Sequence, residues 1–173
     1  DDPSNFNFRA NNCSWYSGTK ALAEELLEDN KNSYILRLRF PFDSDLDSLR
    51  NYLRKLINYP KIVDSLNSIT NIQDFTNVTF DIINKNLPFG KYNIFNEEPV
   101  YTKEVINILN KHLNLEKKQW FDSIEEFQKT VKAKRTNCVL STEKLKSFGI
   151  VLDNAYDSIE KCVLKYKENR IGK

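Results

Sequence analysis

The chain has 173 residues, is 40% hydrophobic and 29% charged, and sets 26 basic against 24 acidic residues for a formal net charge of +2. This length supports one core, or one domain with an appendage, and the balanced charge gives no electrostatic footprint for nucleic acid or an anionic membrane surface. No apolar run is long enough for a bilayer span, and no signal peptide is visible. The three cysteines, Cys13, Cys138 and Cys162, lack the spacing of a disulfide framework or zinc site, so reduced thiols in a cytoplasmic protein are expected.

Residues 1–13 are polar and turn-rich and read as a loop. "SWYSGTKALAEELL", residues 14–27, is predicted to be a helix with Ser14 as N-cap and Trp15, Thr19, Leu22, Ala23, Leu26 and Leu27 on one stripe. "YILRLRFPF", residues 34–42, alternates Tyr34, Leu36, Leu38 and Phe40 against Ile35, Arg37 and Arg39, a strand stopped by Pro41. "DSDLDSLRNYLRKLINYP" predicts a second helix closed by Pro60, and "KIVDSLNSIT" a short strand followed by a loop. A third helix carries Phe75, Val78, Ile82 and Ile83, and "GKYNIFN" is a short strand. Helices are then expected in "TKEVINILNKHL", in "SIEEFQKTVKA" with a Ser123/Glu126 capping box, in "STEKLKSFGI" with Gly149 as its stop, and over about 156–168.

This order predicts an α/β fold with a parallel sheet and a helical cap. Two or three strands are fewer than a complete doubly wound sheet uses, so the chain reads as the second half of a larger one. The chain contains no Met, so Asp1 is not expected to be a natural start. Its four glycines, Gly18, Gly90, Gly149 and Gly172, are too dispersed for a phosphate-cradling loop.

Tyr16 and Lys20 lie one helical turn apart. A free phenol titrates near 10, and a neighbouring ammonium lowers that value towards useful acid–base chemistry. Such a pair can protonate a carbonyl oxygen while hydride arrives at its carbon. With 8 Tyr and 19 Lys in the chain, about one Tyr-x-x-x-Lys is expected by chance, so the surrounding blocks must decide.

Those blocks are "LRLRFPFDSDL", "NYLRKLINYPKIVDSLNSIT", "FGKYNIFNEEPVYTKEVINIL" and "KAKRTNCVLSTEKL". Together with the Tyr-x-x-x-Lys helix, and in this order, they resemble the extended short-chain dehydrogenases/reductases. The likeness is greatest to the C-terminal part of nucleotide-sugar 3,5-epimerase/4-reductases of rhamnose synthesis. The resemblance covers about residues 1–165. It implies the second half of a Rossmann-like doubly wound parallel sheet with a small, mostly helical substrate-binding region. Residues 1–42 and 66–90 would belong to the cofactor domain, and 43–65 and 91–173 to the cap.

The resemblance also implies roles. Tyr16 would donate a proton to the C4 oxygen of a UDP- or dTDP-linked 4-keto-6-deoxyhexose, and Lys20 would lower its pKa and hold the nicotinamide ribose. Lys55 would be an acid–base residue for epimerisation; read from the residues alone, it lies off its helix's apolar stripe and serves equally as a solvated lysine. Phe40, Pro41 and Phe42 would border the nicotinamide of NADPH or NADH. Asn67, Ser68 and Thr70 would line the sugar pocket, and Arg135 and Asn137 would lie near the substrate diphosphate, where a guanidinium forks well onto phosphate oxygens. His112, on a cap helix, reads as exposed. The implied partners are the nucleotide sugar and a second copy through the helix carrying Tyr16 and Lys20, with no nucleic acid and no membrane. The alternative is a non-catalytic regulatory or scaffolding subunit with the same fold.

Overall fold

The structure is a computed structural model, and it describes residues 14–131 and 137–171. The elements, in chain order, are α1 (Trp15–Glu28), β1 (Tyr34–Arg37), β2 (Pro41–Phe42), α2 (Tyr52–Asn58), β3 (Lys61–Ile62), β4 (Leu66–Asn67), β5 (Thr70–Asn71), α3 (Ile72–Asn84), β6 (Gly90–Asn93), β7 (Val100–Tyr101), α4 (Thr102–Leu113), β8 (Gln119–Trp120), α5 (Ile124–Gln128), α6 (Glu143–Lys146) and α7 (Ala155–Ile171). β1 pairs in parallel with β6, from Tyr34↔Gly90 to Arg37↔Asn93. β2 pairs in parallel with β5 and β3 with β8, whereas β4 and β7 are antiparallel.

Two apolar clusters hold these elements together. One gathers Val78, Ile82, Tyr92, Ile94, Leu145 and Leu152 beneath β6. The other gathers Phe42, Leu53, Ile69, Val105, Leu109 and Ile159 between α2, α4 and α7. A buried polar network ties β5 to α3 and α7. The Asn71 side chain caps α3 by accepting from Gln73 N at 2.8 Å, and its amide donates to Ser158 Oγ at 3.0 Å and Cys162 Sγ at 3.2 Å. The Asn71 backbone N–H donates to Asn96 Oδ1 at 2.7 Å. Among the described residues no buried side-chain nitrogen or oxygen lacks a partner, as a packed polar interior requires.

Three elements and one side chain differ from expectation. Residues 43–50 do not open α2, because Asp45 N bonds to Asp43 Oδ1 at 2.8 Å and Asp47 N to Asp45 Oδ1 at 3.1 Å. Aspartates that bond their own backbone favour turns over helix, and α2 starts only after Asn51, whose side chain accepts from Leu53 N at 2.9 Å. The strand expected over 34–40 stops at Arg37, then resumes at Pro41; Phe40 has φ 44°. α5 ends at Gln128, and in its cap Ser123 Oγ accepts from Glu126 N while Glu126 reaches back to the Asp122 N–H. His112 is half-buried, 2.8 Å from Glu160 Oε1, so a carboxylate on α7 has drawn it in.

α1 presents a further correction. Its buried residues are Gly18 and Ala21, while Trp15 and Leu26 are each 76% exposed and Leu22 is also exposed. The expected apolar stripe therefore does not pack on this chain. Gly149 ends the α6 segment as expected, with φ 72° and its N–H donating to Lys146 O at 2.9 Å.

Candidate active site

Immediately beyond the carboxyl end of β1 the chain opens a cavity of about 420 Å³. Arg39, Phe40 and Pro41 form one side, α2 contributes Tyr52 and Lys55, and Lys61, Ser65 and Asn67 close the far wall. Its charged lining residues are Arg39, Arg50, Lys55 and Lys61, with no Asp or Glu among them. A low-dielectric wall with charge of one sign concentrates anions.

Local structure fixes these groups. Arg39 donates through Nε and Nη2 to Asn67 Oδ1, at 3.2 and 2.8 Å, and its guanidinium lies 4.4 Å from the Phe40 ring centroid. Phe40 in turn stacks on Tyr52, with centroids 4.8 Å apart and rings 4° from parallel. Burial pushes the Tyr52 phenol up to about 12. Lys55 is exposed on α2, one residue from the buried Leu56, which points its ammonium side away from the core. Lys61 pairs with Glu126 at 2.9 Å and sits 4.1 Å from the Phe121 ring centroid.

Of the residues singled out from the sequence, Phe40, Pro41, Lys55 and Asn67 meet around this cavity. Tyr16 and Lys20 come together elsewhere, on the flank of α1. The Lys20 ammonium is 5.8 Å from the Tyr16 ring centroid, the tyrosine is 70% exposed, and neither residue lines the cavity. Phe42 lies fully in the core. The Thr70 hydroxyl donates to Ile94 O at 2.9 Å and accepts from Arg39 N at 3.2 Å. Ser68 is also buried, its Oγ accepting from Leu140 N at 3.0 Å. Asn137 accepts from Leu66 N at 3.1 Å, on a segment docked beside β4 where Ser68 N bonds Cys138 O at 2.9 Å. Arg135 lies outside the described residues.

The sequence reading did not single out Arg39, Arg50, Tyr52 or Lys61. Arg39 carried one usable signal: it directly precedes the strand-ending Phe-Pro, where a chain leaving a sheet exposes its side chains to the carboxyl edge. It also did not pair Arg37 with Glu24. The carboxylate holds the Arg37 guanidinium above its ordinary value through their hydrogen bond.

Parallel strand pairs separated by helices, with a cavity just past a strand end, make this an α/β fold of Rossmann-like type. The comparisons carry this further. The chain is 33% identical over 152 residues to the bifunctional dTDP-4-dehydrorhamnose 3,5-epimerase/dTDP-4-dehydrorhamnose reductase of Arabidopsis thaliana, covering 88% of this chain and 50% of that enzyme. It is 34% identical over 154 residues to a trifunctional UDP-glucose 4,6-dehydratase/UDP-4-keto-6-deoxy-D-glucose 3,5-epimerase/UDP-4-keto-L-rhamnose-reductase of the same plant, covering 22% of that longer protein. The crystal structure of a UDP-rhamnose synthase from Acanthamoeba polyphaga mimivirus superposes with a TM-score of 0.80 at 24% identity, over 94% of this chain and 55% of that one. A dTDP-4-dehydrorhamnose reductase from Bacillus anthracis, solved with NADP, gives 0.64 at 17% identity, over 89% of this chain and 53% of that one. No protein-family model matches. The chain is thus similar, over 88% of its own length, to epimerase/reductase enzymes of rhamnose synthesis. It spans about half the length of the bifunctional relative, and less of the trifunctional one.

Proposed function

We propose that this chain supplies the C-terminal half of a reductase that converts the C4 ketone of a UDP- or dTDP-4-keto-6-deoxyhexose to the alcohol, with 3,5-epimerisation preceding reduction. The observation that carries the reading is the cavity: Lys55 and Arg39 share a pocket beside the end of β1 whose charged lining, among the described residues, is cationic. A nucleotide sugar brings a diphosphate to such a wall and hydroxyls to Asn67 and Ser65.

The exposed flank of α1 fits a nicotinamide cofactor. Tyr16 and Lys20 are open donors for ribose hydroxyls, and Phe40 and Pro41 offer partly open apolar surface beyond β1. The reduced cofactor, NADPH or NADH, supplies hydride when bound. Tyr16, with Lys20 one helical turn away, gives its proton to the C4 oxygen. Lys55 exchanges the proton on the carbon beside the ketone, the step that epimerisation requires. The exposed Trp15 and Leu26 of α1 support a homodimer through this helix.

The test uses the full-length protein. Tyr16→Phe should retain nucleotide-sugar binding and lose cofactor oxidation by about 100-fold or more; undiminished turnover refutes the reading. Lys55→Ala should spare reduction of an already epimerised ketone. Equal loss of both steps assigns Lys55 to packing.

A further inference from the structure

The helix that carries Tyr16 and Lys20 is held by few apolar contacts. Its buried residues are Gly18 and Ala21, both small, while its large apolar side chains Trp15, Leu22 and Leu26 are exposed. Small side chains allow close approach but do little to stop a helix turning about its own axis. Polar contacts do that here. Glu24 accepts from Arg37 Nε at 2.9 Å and from Arg37 Nη2 at 2.5 Å, the two side chains being 21% and 18% exposed. One turn further on, Glu28 meets Lys91 at 3.4 Å. Arg37 ends β1, and Lys91 is the register partner of Ile35, so both anchors lie on the β1–β6 pair.

Tyr16, Lys20, Glu24 and Glu28 recur every four residues, each about 40° around the axis and about 6 Å along it from the last. Moving from Glu28 to Glu24 advances from the level of residue 35 to that of residue 37. The same stride carries Lys20, then Tyr16, past the end of β1 towards residues 39–41, which line the cavity. A two-pronged guanidinium–carboxylate contact fixes both rotation and height, which a point charge such as an ammonium does not.

We propose that Glu24 and Arg37 form a positioning pair: their forked contact sets the rotation and height of α1 so that Tyr16 and Lys20 both face the space beyond β1. The inference rests on the reading of Tyr16 as proton donor. Without the fork, α1 turns as a body and carries Tyr16 and Lys20 together away from the space beyond β1.

The experiment measures kcat and KM of the reductase, per folded enzyme, in the full-length protein, for Glu24→Gln, Arg37→Lys, the charge-exchanged double variant Glu24→Arg/Arg37→Glu, and Tyr16→Phe. Glu24→Gln and Arg37→Lys retain side-chain length, so each can be read even if an alanine variant does not fold. Each should lower kcat about tenfold with KM for the sugar nucleotide changed by less than about twofold. The double variant, which restores the fork with its charges exchanged, should recover part of the lost kcat. A purely structural pair would lower the melting temperature and leave kcat per folded enzyme unchanged, and that result overturns the proposal. Tyr16→Phe separates the two ideas. Retained turnover there removes the proton-donor reading itself. Lost turnover there, with kcat per folded enzyme unchanged in Glu24→Gln, removes only the positioning role.

Discussion

Substituting Asn67 separates two properties of the cavity wall. The side chain is 2% exposed, accepts two N–H groups of Arg39 at 3.2 and 2.8 Å, and donates to Ser65 Oγ at 3.0 Å. Asn67→Ala removes the acceptor from a guanidinium, and bonds to charged groups contribute about 1.5–3 kcal/mol. A loss of about 2 kcal/mol is therefore expected, lowering the melting temperature by roughly 4–8 °C for a chain of this size. Asn67→Asp keeps the shape and places a carboxylate against Arg39. The attraction offsets the desolvation of the new charge, so stability should stay within about 1 kcal/mol of the wild type. The same carboxylate neutralises one of the four cations of the lining, so affinity for UDP or dTDP should fall about tenfold or more. Urea unfolding followed by tryptophan fluorescence gives the first quantity, and calorimetric titration of the nucleotide gives the second. If both variants are equally destabilised and neither loses nucleotide affinity, the Arg39–Asn67 contact does not organise the wall and the cavity's charge does not select its ligand.

Three further outcomes follow from the same structure. The Tyr52 phenol, pushed up to about 12 by burial, holds its proton where an unfolded tyrosine, ionising near 10, has released it. Stability that is complete below about pH 10 should therefore decline as pH rises towards 12, and Tyr52→Phe should be less alkali-sensitive by about 2 kcal/mol in unfolding at pH 8 and pH 11.5. Identical pH dependence in both proteins would sink this. Gly149→Ala should cost about 1 kcal/mol, because φ is 72° and a new Cβ meets nothing within 4 Å, leaving only backbone strain; Gly149→Asn should cost less in thermal unfolding. Burial raises the Cys162 thiol to about 11, so at pH 8 iodoacetamide should modify it about tenfold or more slowly than in the urea-unfolded chain, read by mass spectrometry.

How much of this was legible in the sequence depended on whether a signal was local. α3 and α4 could be read because an apolar face repeats at helical spacing behind a capping group: Asn71 for α3, and Glu104 reaching back to the Tyr101 N–H for α4. α2 was overextended because Leu46 and Leu49 continue the apolar pattern, while the turn-forming bonds of Asp43 and Asp45 depend on geometry that the pattern does not encode. The stripe on α1 was legible as composition but not as packing. Whether Trp15 and Leu26 are covered depends on what lies against this helix, not on the helix itself. The site divided in the same way. Lys55 and Asn67 were found through blocks that resemble a family, whereas Arg39 enters the cavity from the break between β1 and β2 and Lys61 from β3. Thr70 was expected at a sugar, yet its hydroxyl bonds the backbone, because β5 turns it inward against Ile94 and Arg39.

That inward threonine explains how a strand becomes a binding wall. A phenylalanine at φ 44° is strained by roughly 1 kcal/mol or more, and such strain persists only where its flanks over-determine it. Here they do. On one side Arg39 N is held by Thr70 Oγ1; on the other Pro41 pairs in register with Thr70 itself. Both ends of the kink therefore fasten to one residue, and the chain between them must turn. The turn lays Phe40 flat on Tyr52 and brings the Arg39 guanidinium over its outer face, while Asn67 takes two of that guanidinium's donors. The cation is thus fixed by an aromatic face and by an amide oxygen from a different strand. The strain at Phe40 offsets nothing in the core. It aims a positive charge into the cavity, as expected where backbone geometry serves ligand recognition rather than stability.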